Sequence, residues 1–133
     1  MRWLILFAYA AFITWASLAP AETFAGWIPP IPHIDKLIHF CFYGGMVTLG
    51  RWTLAAHWSF RLTFRVVVFG AIGYGALMEI LQGLLVSYHR TFEFGDIVAN
   101  SLGAFCFWGL SRFLFQRSAA PPGTEGDSHE AKG

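Results

Sequence analysis

Three pairs of polar residues interrupt the apolar segments of this chain. They are Asp35 with His39, Glu79 with Gln82, and Asp96 with Asn100. Residues three or four apart share one face of a helix, so each pair points in one direction. An imidazole beside carboxylates is suited to acid–base chemistry, which makes His39, Glu79 and Asp96 the catalytic candidates.

A simpler explanation is available for four of these residues. Asp35 and Asp96 stand where helices are predicted to begin, and Asp is favoured as an N-cap and near the positive end of the helix dipole. Gln82 and Asn100 are residue types that commonly form hydrogen bonds between membrane helices. The sequence alone leaves both these structural explanations and the acid–base chemistry open.

Glu79 is the residue that a structural explanation fits least well. An ionised side chain near the centre of a bilayer costs about 2.5–3.5 kcal/mol on insertion scales. We therefore expect Glu79 to be protonated or paired, with Lys36, His39 and Arg90 as its candidate partners. The i+4 spacing also predicts a carboxylate–imidazole pair between Asp35 and His39.

A metal centre is not predicted. Carboxylates and an imidazole could supply a mixed shell of oxygen and nitrogen ligands. However, the sequence has no closely spaced pair of His residues and no Cys-x-x-Cys, which are the usual signatures of such sites. We therefore expect neither a metal nor a cofactor.

The composition indicates a membrane protein. Of the 133 residues, 56% are hydrophobic and 13% are charged, whereas soluble domains carry about 25% charged residues. A membrane-spanning helix needs about 20 apolar residues, and four segments approach that length: 3–19, 37–56, 64–86 and 97–115. The predicted fold is an all-α integral membrane bundle of four transmembrane helices, formed by residues 1–117. Residues 118–133 are predicted to be a disordered cytoplasmic tail.

Lys and Arg residues predict the orientation of this bundle. Arg51, Arg61 and Arg65 crowd the connection between the second and third segments, and such residues favour the cytoplasmic side. Both termini would then be cytoplasmic, and the polar pairs would lie in the outer half of the membrane. The first segment can also be read as a signal peptide with a cleavage site at residues 19–21, which would leave three spans in the same orientation.

The polar motifs, taken in order, resemble those of the VanZ-like family of small bacterial membrane proteins. The resemblance covers residues 34–109 and consists of Asp-Lys-x-x-His at 35–39, Glu-x-x-Gln at 79–82, Arg90, and Asp-x-x-x-Asn-x-x-Gly at 96–103. It implies a multi-pass protein of the bacterial cytoplasmic membrane, in a family associated with tolerance to glycopeptide antibiotics such as teicoplanin. The ligand-binding residues that we predict are Asp35, Lys36, His39, Glu79, Gln82, Arg90, Asp96 and Asn100.

Three functions fit these residues. In the first, the outward site engages the head group of an envelope lipid or lipid-linked precursor, with Lys36 and Arg90 contacting phosphate. In the second, an enzyme acts on a lipid-linked phosphate, with His39 or Glu79 as the acid or base. In the third, the polar residues form a structural scaffold without a ligand.

Other sequence features narrow these choices. No recognised nucleophile motif is present, which weighs against the enzyme. The sequence has no basic patch on a soluble surface that would indicate nucleic-acid binding. So few helices also leave room for a homo-oligomer or a membrane-protein partner.

Overall fold

The computed structural model describes residues 1–24, 26–29, 31–84 and 92–117, with side chains at all of these except residues 21 and 114–117. Within these ranges the regular secondary structure is helical and contains no strand. The four long helices are α1 (Arg2–Leu18), α2 (Ile34–Leu54), α3 (Phe60–Leu84) and α4 (Phe94–Arg117). The all-helical prediction is confirmed. Arg90 and the predicted tail at 118–133 lie outside the described residues.

Helix α3 begins four residues before the predicted third segment. The hydroxyl of Ser59 accepts a hydrogen bond from the backbone N–H of Leu62 at 3.4 Å, which is a standard N-cap contact. A π-helical stretch, Arg65–Phe69, lies between the α-helical parts Phe60–Phe64 and Gly70–Leu84. The cap thus places the start of the helix about one turn before the apolar pattern begins.

Within the described residues, one helix is both long and apolar enough to cross a membrane. That helix is α3, and α1 is apolar but only 17 residues long. Helices α2 and α4 have 21 and 24 residues, but neither is apolar enough over its described residues to meet the criterion. The arrangement of four membrane spans therefore stays a prediction.

Helices α2 and α4 approach each other closely. A methyl group at Gly103 of α4 would overlap the backbone carbonyl of Phe40 on α2, so the absence of a side chain allows the two backbones to meet. Beneath this crossing lies the apolar core, whose fully buried members include Ile13, Val47 and Val68. This core contains residues of all four helices and so fixes the positions of the helices relative to one another.

Charged residues are segregated between the two ends of the bundle. At one end, Arg2 donates to the Trp52 carbonyl at 3.3 Å and Arg51 donates to Ser111 Oγ at 3.2 Å. The acidic residues of the described chain belong to the opposite end: Glu22, Asp35, Glu79, Glu93 and Asp96. The polar pairs found in the sequence therefore lie together, away from most of the arginines.

Candidate functional site

Three helix ends bring the predicted site residues together. The first two turns of α2, the last turns of α3 and the first two turns of α4 meet at the acidic end of the bundle. Asp35 and Asp96 lie in the first turns of α2 and α4, where a carboxylate favours the helix dipole. The N-cap residue of α2 is His33 and not Asp35. The described residues of the site are Asp35, Lys36, His39, Glu79, Gln82, Glu93, Asp96 and Asn100.

His39 faces helix α4 instead of its neighbour on α2. Its Nδ1 atom lies 3.1 Å from Asn100 Oδ1, and its Nε2 atom lies 3.9 Å from Asp96 Oδ2. Because an amide oxygen can only accept, the contact with Asn100 places the proton on Nδ1. The predicted pair between Asp35 and His39 is wrong, since the carboxylate of Asp35 instead bonds Lys36 at 3.0 Å.

Glu79 is almost fully buried, with 1% of its surface exposed. Its Oε1 atom accepts a hydrogen bond from the backbone N–H of Glu93 at 2.7 Å. Its Oε2 atom is buried and has no hydrogen-bond partner among the described residues. Of its three predicted partners, His39 lies nearby, Lys36 is engaged elsewhere, and Arg90 lies outside the described residues.

Lys36 is held by three carboxylates at the mouth of the site. Its Nζ atom lies 2.7 Å from Glu93 Oε2, 3.0 Å from Asp35 Oδ2 and 3.2 Å from Asp96 Oδ1. Hydrogen bonds to Glu93 and Asp35 raise the pKa of Lys36 above its ordinary value. Burial raises the pKa of Asp35, but the hydrogen bonds and charge of Lys36 outweigh it, so that pKa lies below 3.8.

Gln82 and Asn100 both form contacts between helices, as their residue types predict. Gln82 Nε2 donates to the Ser17 carbonyl of α1 at 2.7 Å, and Asn100 binds His39 of α2. Asn100 still has a buried amide nitrogen, Nδ2, without a partner among the described residues. Tyr43, whose ring stacks on His39 with centroids 6.4 Å apart, has an equally unpartnered hydroxyl. Within the part of the chain that the structure describes, the hydrogen bonds of the site are thus incomplete.

An apolar cleft leads from the bundle surface to His39. Its volume is about 290 Å³, and His39 and Asp35 are its charged or titratable lining residues. The other walls are apolar except for Ser17, and they come from α1, α2 and the segment between them: Ala16, Ser17, Phe24, Ile28, Ile38 and Phe42. The side chain of His39 keeps 13% of its surface exposed, whereas Glu79 and Asn100 each keep 1%. His39 is therefore the site residue through which the cleft reaches the buried polar groups.

Three of the site residues are arranged as possible metal ligands. His39, Glu79 and Asp96 each offer one donor atom, and the three atoms lie within 4.8 Å of one another. No short sequence spacing could reveal this set, because its members come from α2, α3 and α4.

Two contributors were missing from the predicted ligand set. Glu93 supplies both the backbone N–H that binds Glu79 and a carboxylate that binds Lys36. It lies three residues before Asp96, a spacing that could have linked the two. Ser17 contributes only its backbone carbonyl, for which the side-chain sequence carries no signal.

Comparisons with protein-family models, with curated proteins and with solved structures each find no match to this chain.

Proposed function

We propose that this chain is a multi-pass membrane protein of the bacterial envelope, of the VanZ-like kind, whose acidic end binds the head group of an envelope lipid or lipid-linked precursor. The span of α2 would begin at Leu37, which leaves Asp35 and Lys36 at the membrane surface. Segregation of most arginines to the other end of the bundle supports an orientation with both termini in the cytoplasm. We include in this proposal the tolerance to glycopeptide antibiotics that the motif resemblance implies.

The observation that carries the proposal is the apolar cleft that ends at His39 and Asp35. A lipid combines an apolar chain with a polar head, and the cleft combines apolar walls with titratable groups at one end. Phe24, Ile28 and Phe42 would contact the chain, and His39 would contact the head group. Three buried polar atoms, Glu79 Oε2, Asn100 Nδ2 and the Tyr43 hydroxyl, have no partner among the described residues, and this supports a ligand more than a scaffold, since buried polar groups are nearly always hydrogen-bonded.

The charges of the site restrict which head group it would bind. Lys36 already faces Asp35, Glu93 and Asp96, so it has little attraction left for a bare phosphate. The exposed carboxylates instead favour a head group that carries hydrogen-bond donors, such as an ammonium group or sugar hydroxyls. Phosphatidylethanolamine carries such an ammonium group. Phosphatidylglycerol, whose anionic head group has hydroxyls but no ammonium group, is the comparison.

Native mass spectrometry of the full-length protein, purified in detergent and titrated with each lipid, tests this binding. Ile38→Trp would fill the cleft and should reduce retention of phosphatidylethanolamine several-fold. Leu110→Trp, at an exposed position of α4 outside the cleft, is the matched control and should retain the lipid like wild type. Equal retention by all three proteins would reject the cleft as a lipid site and favour the scaffold.

An enzyme acting on a lipid-linked phosphate is the second candidate, and the position and hydrogen bonding of His39 favour it. This residue is held at Nδ1 by Asn100, lines the cleft, and has an unprotonated Nε2 atom that could accept a proton. Release of phosphate from a polyprenyl phosphate or diphosphate by wild type, and a loss of this activity in His39→Gln that exceeds its loss of lipid retention, would support catalysis. No turnover by wild type would reject it.

A further inference from the structure

His39, Glu79 and Asp96 are each held from behind by a second group. Asn100 binds Nδ1 of His39, the N–H of Glu93 binds Oε1 of Glu79, and Lys36 binds Oδ1 of Asp96. In each case one further donor atom stays available: Nε2, Oε2 and Oδ2. Such outer contacts are what orient the ligands of metal sites.

We propose that His39, Glu79 and Asp96 bind one divalent first-row transition metal ion, with Zn²⁺ and Mn²⁺ as the best-matched ions. One donor atom from each residue already lies within 4.8 Å of the other two. The second, independent indication of a ligand is the carboxylate of Glu79. Only 1% of the surface of this residue is exposed, and its Oε2 atom has no hydrogen-bond partner among the described residues. The inference does not depend on lipid binding.

The tautomer of His39 is the one that a metal requires. Coordination uses the lone pair of an unprotonated ring nitrogen. Since Asn100 Oδ1 accepts the Nδ1 proton, the lone pair is on Nε2, the nitrogen that faces Asp96 at 3.9 Å. A hydrogen bond from the second ring nitrogen of a ligating His is a regular feature of metal sites.

The donor types select the class of ion. Imidazole suits zinc and other transition metals, whereas Mg²⁺ and Ca²⁺ prefer shells made only of oxygen. Two carboxylates and a neutral imidazole would balance the charge of a divalent ion and compensate the buried Glu79. Three protein ligands also leave a position for water or for an oxygen of a bound head group.

The ligands must move slightly toward the ion. Ligands bound to tetrahedral zinc at about 2.0–2.2 Å lie roughly 3.3–3.6 Å apart. Closing the observed separations of 3.9 Å and up to 4.8 Å to that range takes shifts of about 1 Å or less per side chain. Rotation of the carboxylates about their existing hydrogen bonds provides such shifts without moving a helix.

A neighbouring set of acidic residues shows the contrast. Asp35, Glu93 and Asp96 also place donor atoms within 4.8 Å of one another. The ammonium group of Lys36 lies within 3.2 Å of all three, so this set already has its cation. Asp96 belongs to both sets, but Glu79, in the other set, has no Lys or Arg within salt-bridge distance among the described residues.

Isothermal titration calorimetry with ZnCl₂ on the full-length protein, purified in detergent with its affinity tag removed, tests the site. Wild type should bind one zinc per chain. Glu79→Gln and His39→Gln should each weaken binding by at least about tenfold, since even outer-shell changes cost about that much. MgCl₂ should give no comparable heat.

Two variants serve as matched controls. Glu22→Gln removes an exposed carboxylate at the acidic end but outside the ligand set, and His33→Gln removes an exposed histidine that precedes α2. Both should keep the wild-type affinity. Zinc binding that is absent in wild type, or that is unchanged in Glu79→Gln and His39→Gln, would overturn the proposal.

X-ray absorption spectroscopy of zinc-loaded wild type gives an answer even if the variants fail to fold. The expected spectrum has scattering from one imidazole and from oxygen ligands. Sulfur ligands would mean that Cys41 or Cys106, both exposed, holds the ion, and would contradict the assignment. A spectrum with two or more imidazoles would contradict it as well.

Discussion

Asn100 and His39, which are 61 residues apart, form the contact that organises the site, with 3.1 Å between Asn100 Oδ1 and His39 Nδ1. The contact joins α4 to α2 and leaves Nε2 of His39 3.9 Å from Asp96 Oδ2, while the side chain of His39 also lines the cleft. One amide side chain thereby sets both the packing of two helices and the protonation pattern of the imidazole.

Replacement of this amide should destabilise the protein. Asn100→Ala leaves Nδ1 of His39 without its acceptor in a mostly buried position, and such a loss costs about 1–3 kcal/mol. Thermal unfolding in detergent, followed by tryptophan fluorescence, measures the effect. Ser101→Ala is the control because, among the described residues, the hydroxyl of Ser101 donates to the Ile97 carbonyl of its own helix and to no other helix. Its cost should stay within about 0.5 kcal/mol, and equal losses in the two variants would contradict the prediction.

The crossing of α2 and α4 should tolerate no side chain at Gly103. Gly103→Ala places a methyl group against the Phe40 carbonyl, and overpacking of this kind costs about 1–3 kcal/mol. Gly109→Ala, on the same helix, meets nothing within 4 Å and should be neutral or stabilising by up to about 1 kcal/mol. The same unfolding assay compares the two. A Gly103→Ala variant as stable as Gly109→Ala would refute the close approach.

The ion pairs of Lys36 should make stability depend on pH at the acidic side and, above pH 10.5, at the alkaline side. The pKa of Asp35 is lowered in the fold, so its contribution is present above its ordinary pKa of 3.8 and is lost as the pH falls through the folded value. The pKa of Lys36 is raised from 10.5, so its contribution is complete below 10.5 and lost only at higher pH.

Lys36→Met is therefore expected to cost about 1 kcal/mol at pH 7, because partly exposed ion pairs are weak. The difference from wild type should shrink as the pH falls from 5 to 3, while Arg61→Met, at the opposite end of the bundle, should show no such trend. Unfolding temperatures across this range provide the measurement. A difference from wild type that stays constant with pH would show that Lys36 acts through packing alone.

Local apolar patterns were sufficient to predict the helices but not every boundary. The run that ends at Leu54 and the run that ends at Leu84 were both recognised, because burial or lipid contact demands continuous apolar residues. The start of α3 was placed too late, since the Ser59 cap lies outside the apolar run. Helix capping is a polar signal, and an apolar pattern does not register it.

The partners of the site residues were harder to predict than their convergence. Sequence spacing pairs Asp35 with His39 because both belong to one helix. The crossing of α2 and α4 at Gly103 instead brings Asn100 and Asp96 to His39. Glu79 finds a backbone N–H at Glu93, and a backbone donor has no signature among side-chain types. Partner choice therefore depended on the crossing of helices, which no local pattern specifies.

Labelling with a membrane-impermeant maleimide tests most directly whether the site lies at the outer membrane surface. In a background with Cys41 and Cys106 replaced by Ala, single cysteines would be placed by Asp35→Cys, beside the cleft, and by His57→Cys, between α2 and α3. We predict that the maleimide labels Asp35→Cys in intact bacterial cells, and that it labels His57→Cys only after the cells are permeabilised. Labelling of His57→Cys in intact cells with protection of Asp35→Cys, or recovery of the protein in the soluble fraction, would contradict it.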